Sequence, residues 1–216
     1  MELCSNILKM KIYYCILIVN LVLMSCNNTQ SSKVEDTESS CPHANVYLQP
    51  YDNYTQKEAE LLKTDLDKHL ENILYGTFTV KILPNQQLSD TMLGESKIKY
   101  RGDKIIRSLK KDCDPENIII GVTHKDICVS KRNGVKDWGV LGLAISRDHA
   151  CVVSDHRLKH KNRDLWKVTT HEFIHTYYGY GHCPKDSTHC IMKDAKGHAD
   201  FRNKNNLCGY CKSRVG

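Results

Sequence analysis

The chain has 216 residues, enough for one domain with a substantial hydrophobic core and little room for a second. Its hydrophobic fraction of 40% and charged fraction of 26% are ordinary for a soluble globular protein. The formal net charge is +6, but the basic residues are scattered, and a loose basic run at 156–163 is interpreted as a solvated loop. Because no glycine-rich phosphate loop or nucleic-acid motif is present, we expect no nucleic-acid partner.

An apolar segment near the N-terminus predicts a signal peptide. It runs over Ile12–Met24, which is too short for a membrane-spanning helix of roughly 20 residues. Lys9 and Lys11 supply the positive flank that precedes such a segment. Because Glu2 would be unusual in that flank, we expect translation to begin at Met10.

The apolar segment ends in Leu23-Met24-Ser25-Cys26, which resembles a bacterial lipobox, where a small residue precedes a cysteine that becomes lipidated. The following stretch is rich in Asn, Ser and Thr, as a flexible tether is. The predicted organisation is a signal peptide at 1–25, a lipidated Cys26 with its tether at 26–44, and one domain at 45–216. The protein would then be lipid-anchored in the cell envelope, facing the periplasm or the exterior. An ordinary signal peptide and a secreted protein are the alternative.

Hydrophobic periodicity predicts alternating strands and helices after the tether. The predicted elements are a strand at 45–49, a helix at 55–76, a strand at 77–83, a helix at 100–111, strands at 117–123, 140–145 and 150–153, and a last helix from 164 to 179. The first helix opens on a capping box at Thr55 and Glu58 and stops at Gly76. This alternation predicts an α/β fold with a mixed, mostly parallel sheet.

The last predicted helix carries a metal-binding pattern. Asp164 is expected to cap it, and nothing interrupts it before Gly179. His171 and His175 are four residues apart, so both imidazoles project from one face and can share a tetrahedral zinc ion. Glu172 can reach a metal-bound water, whose pKa zinc lowers to roughly 7, and act as its general base. The alternative is a helix with a histidine pair and an incidental glutamate. The third histidine and the four cysteines that follow downstream argue against this alternative.

The residues from His171 onward resemble the archaemetzincins, a branch of the metzincin metallopeptidases. The family pattern is His-Glu-x-x-His-x-x-Gly-x-x-His-Cys, four residues, Cys-x-Met, a spacer, and Cys-x-x-Cys. The matching segments here are His171-Glu172-x-x-His175, Gly179-x-x-His182-Cys183, Cys190-Ile191-Met192 and Cys208-Gly209-Tyr210-Cys211. The resemblance extends from about Asn45 to the C-terminus and is strong only after Asp164.

This resemblance implies a zincin-like domain with an active-site helix and a small C-terminal subdomain stapled by zinc. It implies a monomeric zinc peptidase acting on a peptide or protein, with an edge strand near 138–145 that holds the extended substrate by strand addition. The implied site residues are His171, His175 and His182 as ligands of a catalytic zinc, Glu172 as general base, and Met192 in a Met-turn beneath the site.

The spacing before the third histidine departs from the family. Three residues separate His175 from Gly179, where the family has two. If the helix runs one residue further and turns at Gly179, the family's Gly-x-x-His spacing is kept and His182 becomes the third ligand. His189 and His198 are the fallback candidates, but neither stands next to a cysteine as the family's third histidine does.

The resemblance also implies a second, structural zinc, bound by Cys183, Cys190, Cys208 and Cys211. Four thiolates make a closed tetrahedral site, although six residues rather than the family's four separate the first two cysteines. Because an exported protein meets an oxidising compartment, two disulfides are the alternative. The remaining cysteines of the body are candidates for one or two further disulfides: Cys41, Cys113, Cys128 and Cys151.

Two other functions remain open. The altered spacing and the bulky Tyr177 and Tyr178 near the expected cleft fit a non-catalytic zinc-binding lipoprotein, either a degenerate peptidase or a binding module. The intact Glu172 argues against it, because a purely structural site does not need that carboxylate. A different zincin with unrelated specificity is the third possibility.

Overall fold

The computed structural model describes residues 43–110, 117–146, 148–195 and 201–215. They belong to one compact unit, Cys41–Gly216. Several predicted features lie outside the described residues: the signal peptide, Cys26, most of the tether, Cys41, Cys113 and His198. Within the described ranges, no helix has the length and the apolar character that a membrane crossing requires.

Strands and helices alternate along the described chain. In order, they are β1 (His43–Pro50), α1 (Gln56–Ile73), β2 (Thr77–Ile82), β3 (Tyr100–Arg101), α2 (Gly102–Leu109), β4 (Asn117–Thr123), β5 (Ile127–Val129), β6 (Trp138–Val140), β7 (Gly142–Ala144), β8 (Ala150–Ser154), α3 (Lys161–Tyr177) and α4 (Gly209–Val215). A short 3₁₀ turn, Asp90–Met92, lies between β2 and β3.

The main sheet has the strand order β2-β1-β4-β8-β7. The first four strands are parallel to one another, and β7 runs antiparallel to β8 with Leu143 opposite Val152. The predicted mixed, mostly parallel sheet is therefore confirmed. A smaller sheet, β3-β5-β6, pairs β3 with β5 in parallel and β5 with β6 antiparallel.

Both faces of the main sheet are buried, which explains its apolar strands. Alternate residues of β4 face opposite sides: Ile118 and Ile120 pack into the cluster that holds α1 and α3, and Ile119 packs into the cluster that holds α2. In β8, Cys151 and Val152 divide in the same way. Among the described helices, α1 and α3 therefore cover one face of the sheet and α2 covers the other.

The first helix forms as its sequence predicts. The Glu58 backbone N–H donates to the Thr55 hydroxyl at 3.3 Å, and the Thr55 backbone N–H donates to the Glu58 carboxylate at 2.9 Å. Leu62, Leu66 and Leu70 are buried against the sheet. The capping box is confirmed, and so is the predicted apolar face of α1, except that Leu61, expected on that face, is 53% exposed.

Three local predictions are wrong. Tyr100–Arg101 pairs with β5 instead of opening the second helix, so α2 begins at Gly102. The single strand predicted at 140–145 is divided at Leu141, because β6 pairs with β5 and β7 pairs with β8. Asp164 is not a helix cap, since α3 begins at Lys161. Asp164 is instead buried and pairs with a lysine one turn further on.

The disulfides predicted for the cysteines of the body are not found at the two that the structure describes. Cys128 and Cys151 are both buried free thiols. They belong to different sheets, Cys128 to β5 and Cys151 to β8. Cys128 donates a hydrogen bond to the Asp137 carboxylate at 3.4 Å instead.

Candidate metal centre

Helix α3 carries two of the three predicted histidine ligands, His171 and His175, next to the edge of the main sheet. It packs against β8 and β7, and His171 and Glu172 are each only 8% exposed although both are polar. Gly142 of β7 makes this approach possible, because a Cβ there would lie 2.5 Å from Cγ of Glu172. The acid side chain is therefore fitted against the backbone of the edge strand.

The structure brings His171, His175 and His182 together. The Nε2 atoms of His171 and His175 are 3.0 Å apart, and the ring of His182 has its centroid 5.1 and 4.9 Å from the other two. One ring nitrogen from each lies within 4.8 Å of the others. The helix ends at Tyr177, and Gly179 adopts a φ of 71°, so the chain turns back despite the extra residue.

Backbone carbonyls orient two of these imidazoles. The Nδ1 atom of His171 donates to the Ile191 carbonyl at 2.8 Å, and Nδ1 of His175 donates to the Tyr180 carbonyl. Since a carbonyl can only accept, both Nδ1 atoms carry a proton and both Nε2 atoms present lone pairs. This tautomer is the one that a metal-binding histidine needs.

The histidine cluster fits a cation. Burial, reinforced by the neighbouring His175, lowers the pKa of His171 to about 3, and burial also lowers the pKa of His175. Both rings are therefore neutral near pH 7, and their Nε2 lone pairs oppose each other at 3.0 Å. Two nitrogens about 2.0–2.1 Å from one tetrahedral zinc would lie about 3.3 Å apart, close to the observed separation.

Glu172 occupies an environment that disfavours its charge. Burial alone raises the pKa of its carboxyl to about 8. A divalent cation on the adjacent histidines would oppose this effect and favour the carboxylate. The protonation of Glu172 near neutral pH therefore depends on what the histidines bind.

The four C-terminal cysteines form a second cluster, with sulfur atoms that all lie within 4.8 Å of one another. The sulfurs of Cys183 and Cys208 are 3.5 Å apart, and all four thiols are free. The alternative of two disulfides is therefore absent from the structure. Two sulfurs about 2.3 Å from one tetrahedral zinc would be about 3.8 Å apart, so the cluster fits this metal.

The pKa values of three of these thiols are shifted in different directions. Burial works against ionisation of Cys208, but the backbone N–H of Cys211 and the surrounding thiols lower its pKa to about 7. Burial raises the pKa of Cys190 and of Cys211. A cation bound by the cluster would oppose the effect of burial and favour the thiolates of Cys190 and Cys211.

Three other residues singled out in the sequence lie outside the two metal-binding clusters. Met192 is buried, and its carbonyl accepts from the Cys183 backbone N–H at 2.7 Å. His189 is exposed and lies 3.2 Å from the Asn203 carbonyl, outside both clusters. Tyr178 lines neither cleft beside the histidines, and its hydroxyl donates to the Tyr75 carbonyl at 3.1 Å.

Two clefts meet at the histidine cluster. One has a volume of about 630 Å³ and extends along β6 to Trp138 and Phe201, and the other has about 420 Å³ and extends to Ser146. The residues shared by both are Gly142, His171, Glu172 and His182. Because β7 lies at the edge of the main sheet and lines both clefts, an extended chain can lie along it past the histidines.

Solved structures with the same fold identify this architecture. The archaemetzincin of Archaeoglobus fulgidus, complexed with malonate, has a TM-score of 0.63 and 25% identity, covering 79% of this chain and 99% of that one. This chain has an archaemetzincin-like fold. The archaemetzincin of Methanopyrus kandleri has a TM-score of 0.63 and 21% identity, covering 80% of this chain and 93% of its own.

A zinc-dependent peptidase from Methanocorpusculum labreanum is similar to the chain as well, with a TM-score of 0.61 and 20% identity over 79% of this chain and 100% of that one. Neither a protein-family model nor a curated protein sequence matches the chain. The archaemetzincin-like fold therefore rests on the three-dimensional comparison.

Sequence reasoning missed three parts of this candidate site. The role of Gly142 could have been predicted, because a glycine inside a predicted strand often marks a close approach of another group to the backbone. The carbonyls of Ile191 and Tyr180 had no sequence signal, since any residue supplies a carbonyl group.

Proposed function

We propose that this protein is a zinc-dependent peptidase with Glu172 as its general base. The observation that carries the proposal is the pair of opposed Nε2 lone pairs, 3.0 Å apart, beside a buried glutamate at the meeting point of two clefts. A structural site would not need that carboxylate or an open groove. The similar solved structures, named as archaemetzincins and a zinc-dependent peptidase, support the same reaction class.

The proposed chemistry divides between the metal and the chain. Zinc on His171, His175 and His182 would polarise the scissile carbonyl and lower the pKa of water. Glu172 takes the proton from the attacking water and passes it to the leaving amine. The edge strand β7 holds the substrate in extended form, which keeps the scissile bond beside Glu172.

A second zinc on Cys183, Cys190, Cys208 and Cys211 completes the proposal. Such a closed site leaves no position for water, so its role is structural. It would join the chain after the third histidine to the C-terminal helix α4, which begins at Gly209. A zinc-to-protein ratio of two, measured by elemental analysis, is the expected result.

The proposal includes a lipid anchor at Cys26, supported by the lipobox-like sequence before it. A peptidase held in the cell envelope would act on peptides or proteins that reach the same compartment. Mass spectrometry of the mature protein should find a lipidated Cys26 at the N-terminus. A free N-terminus at another residue would contradict the anchor and favour secretion.

Replacement of the glutamate tests the peptidase function. Glu172→Gln keeps the size of the side chain but cannot take up the proton. We expect hydrolysis of a peptide library by the zinc-loaded protein to fall between about a hundredfold and ten-thousandfold, while zinc content is unchanged. Equal rates for variant and wild type would contradict the role of Glu172.

The non-catalytic alternative makes the opposite prediction for the wild type. If the histidines hold zinc and no peptide of the library is cleaved, the protein is a zinc-binding module. Tyr177 and Tyr178, which favoured that alternative, lie away from both clefts, and Tyr177 packs on Phe173 with ring centroids 5.4 Å apart. The geometry therefore favours the peptidase.

A further inference from the structure

Tyr180 links a metal-binding histidine to the C-terminal helix. Its carbonyl accepts the hydrogen bond from Nδ1 of His175. Since the second ring nitrogen of this histidine faces His171, the position of that carbonyl sets the direction in which the His175 lone pair points. Whatever holds Tyr180 in place therefore also orients His175.

The side chain of Tyr180 is held by α4. Its hydroxyl donates to the Arg214 carbonyl, and the Arg214 guanidinium lies over the Tyr180 ring, 4.2 Å from its centroid. The same guanidinium donates to the Tyr210 hydroxyl at 3.4 Å. Helix α4 contains Cys211, so a metal bound by the cysteine cluster would also fix the helix that contacts Tyr180.

Among the described residues, no backbone–backbone hydrogen bond holds Tyr180 itself, although the carbonyl of Gly179 beside it accepts from the Ser146 hydroxyl at 3.2 Å. Gly179 and Gly181 flank it, and a Cβ added to Gly181 would meet nothing within 4 Å. The carbonyl that orients His171 is held differently, because the Ile191 backbone N–H donates to the Asn206 carbonyl at 2.8 Å. The Tyr180 carbonyl is therefore held through the side chain of Tyr180, whereas the Ile191 carbonyl is held through a backbone hydrogen bond.

We propose that Tyr180 and Arg214 are positioning residues that form a clasp, fixing the Tyr180 carbonyl and thereby raising the affinity of the histidine site for zinc. The clasp rests on the proposed function insofar as the histidines bind metal. It couples that site to α4 through two hydrogen bonds to backbone carbonyls and one cation–π contact. Loosening the clasp lets the His175 ring turn, which weakens metal binding without removing a ligand.

The test is a cobalt titration of the full chain freed of metal. Cobalt in the cysteine site gives thiolate charge-transfer bands that the histidine site cannot give, so the two affinities are separated. Tyr180→Phe removes one hydroxyl, and Arg214→Ala removes the guanidinium but keeps the carbonyl. Each should weaken cobalt binding at the histidine site about tenfold and leave the cysteine site unchanged.

Two matched variants serve as controls. Lys212→Ala removes the same charge from an exposed position of the same helix, and Tyr178→Phe removes a hydroxyl that bonds Tyr75 instead of α4. Both should keep the wild-type affinity. If Arg214→Ala fails to fold, Tyr180→Phe still decides the matter.

The outcomes separate the clasp from the proposed function. Unchanged histidine-site affinity in Tyr180→Phe and Arg214→Ala, with a wild type that binds cobalt there, overturns the clasp alone. Equal losses in Arg214→Ala and Lys212→Ala overturn it too, since they would show an effect of charge. A wild type whose histidines bind neither cobalt nor zinc overturns the proposed function and the clasp with it.

Discussion

At the scale of single residues, the proposed metal site depends on atoms other than those of its proposed ligands. The Ile191 carbonyl selects the tautomer of His171, and the Tyr180 carbonyl does the same for His175. Gly142 contributes by the absence of a side chain, which leaves space for Glu172 against β7. These supports matter because a buried ligand or base works only in one orientation.

Gly142 gives the residue-scale prediction. Gly142→Ala would bring a Cβ within 2.5 Å of the Glu172 side chain, so the carboxyl must move away from the edge strand. We expect peptide hydrolysis to fall at least about tenfold, because a displacement of about 1 Å can cost a hundredfold. Zinc content should stay the same, since no ligand is touched.

The matched control is Gly209→Ala, where an added Cβ meets nothing within 4 Å. It should hydrolyse the same peptides at the wild-type rate. Full activity of Gly142→Ala would show that Glu172 does not need its present position.

At the scale of elements, α3 joins the core to the C-terminal segment through a buried lysine. Lys167 is 2% exposed, and its ammonium lies 3.0 Å from the Asp164 carboxylate and 2.7 Å from the Phe201 carbonyl. A buried charge is tolerated only when it is paired and hydrogen-bonded, and here the pair connects two turns of one helix to a distant loop. Asp164, predicted as a cap, is part of this connection.

Lys167→Met should therefore destabilise the fold. The substitution keeps the apolar stem but leaves the Asp164 carboxylate with Arg163 alone, which is 3.3 Å away and half exposed. We expect a cost of about 2 kcal/mol in unfolding free energy. Urea denaturation of the zinc-loaded protein measures this cost. The double variant Lys167→Met with Asp164→Leu should recover part of it, and an additive loss in the double variant would show that the pair is not coupled.

At the scale of the whole molecule, several carboxylates are held ionised by their surroundings. The backbone N–H of Ser96 lowers the pKa of Asp137 from 3.8 to about 2. Burial opposes ionisation of Asp103, but Arg101 overcomes it and the pKa of Asp103 is lowered. A folded-state pKa below the unfolded value contributes stability that is present above about pH 4 and is lost as the pH falls toward 2.

Asp137→Asn tests this pH dependence. Asn fits the left-handed backbone at this position, where φ is 49°, but it does not titrate. The variant should be less stable than the wild type near pH 6, and the difference should shrink as the pH falls from about 4 to 2. Metal loss in acid affects both proteins, so the difference in urea denaturation isolates Asp137. A difference that does not change with pH would contradict the assignment.

Much of the fold could be predicted because local patterns were enough. The capping box at Thr55, the apolar face of α1 and the buried strand β4 all follow from spacing within one element. The division of β6 from β7 could not be predicted, because it depends on which distant strand each segment pairs with. For the same reason, the sequence could not predict that Cys128 belongs to a different sheet from Cys151.

The sequence by itself determined the two clusters of metal-binding residue types, since helical spacing places His171 and His175 on one face and Cys-x-x-Cys brings two sulfurs together. Only the tertiary structure decided that the chain turns at Gly179 to bring His182 beside them, and that Gly142 and two carbonyls support the site. The physical reason is the distance along the chain over which each effect acts. Side-chain periodicity acts within a few residues, whereas the position of a carbonyl or a bare Cα against a ligand depends on how distant segments pack.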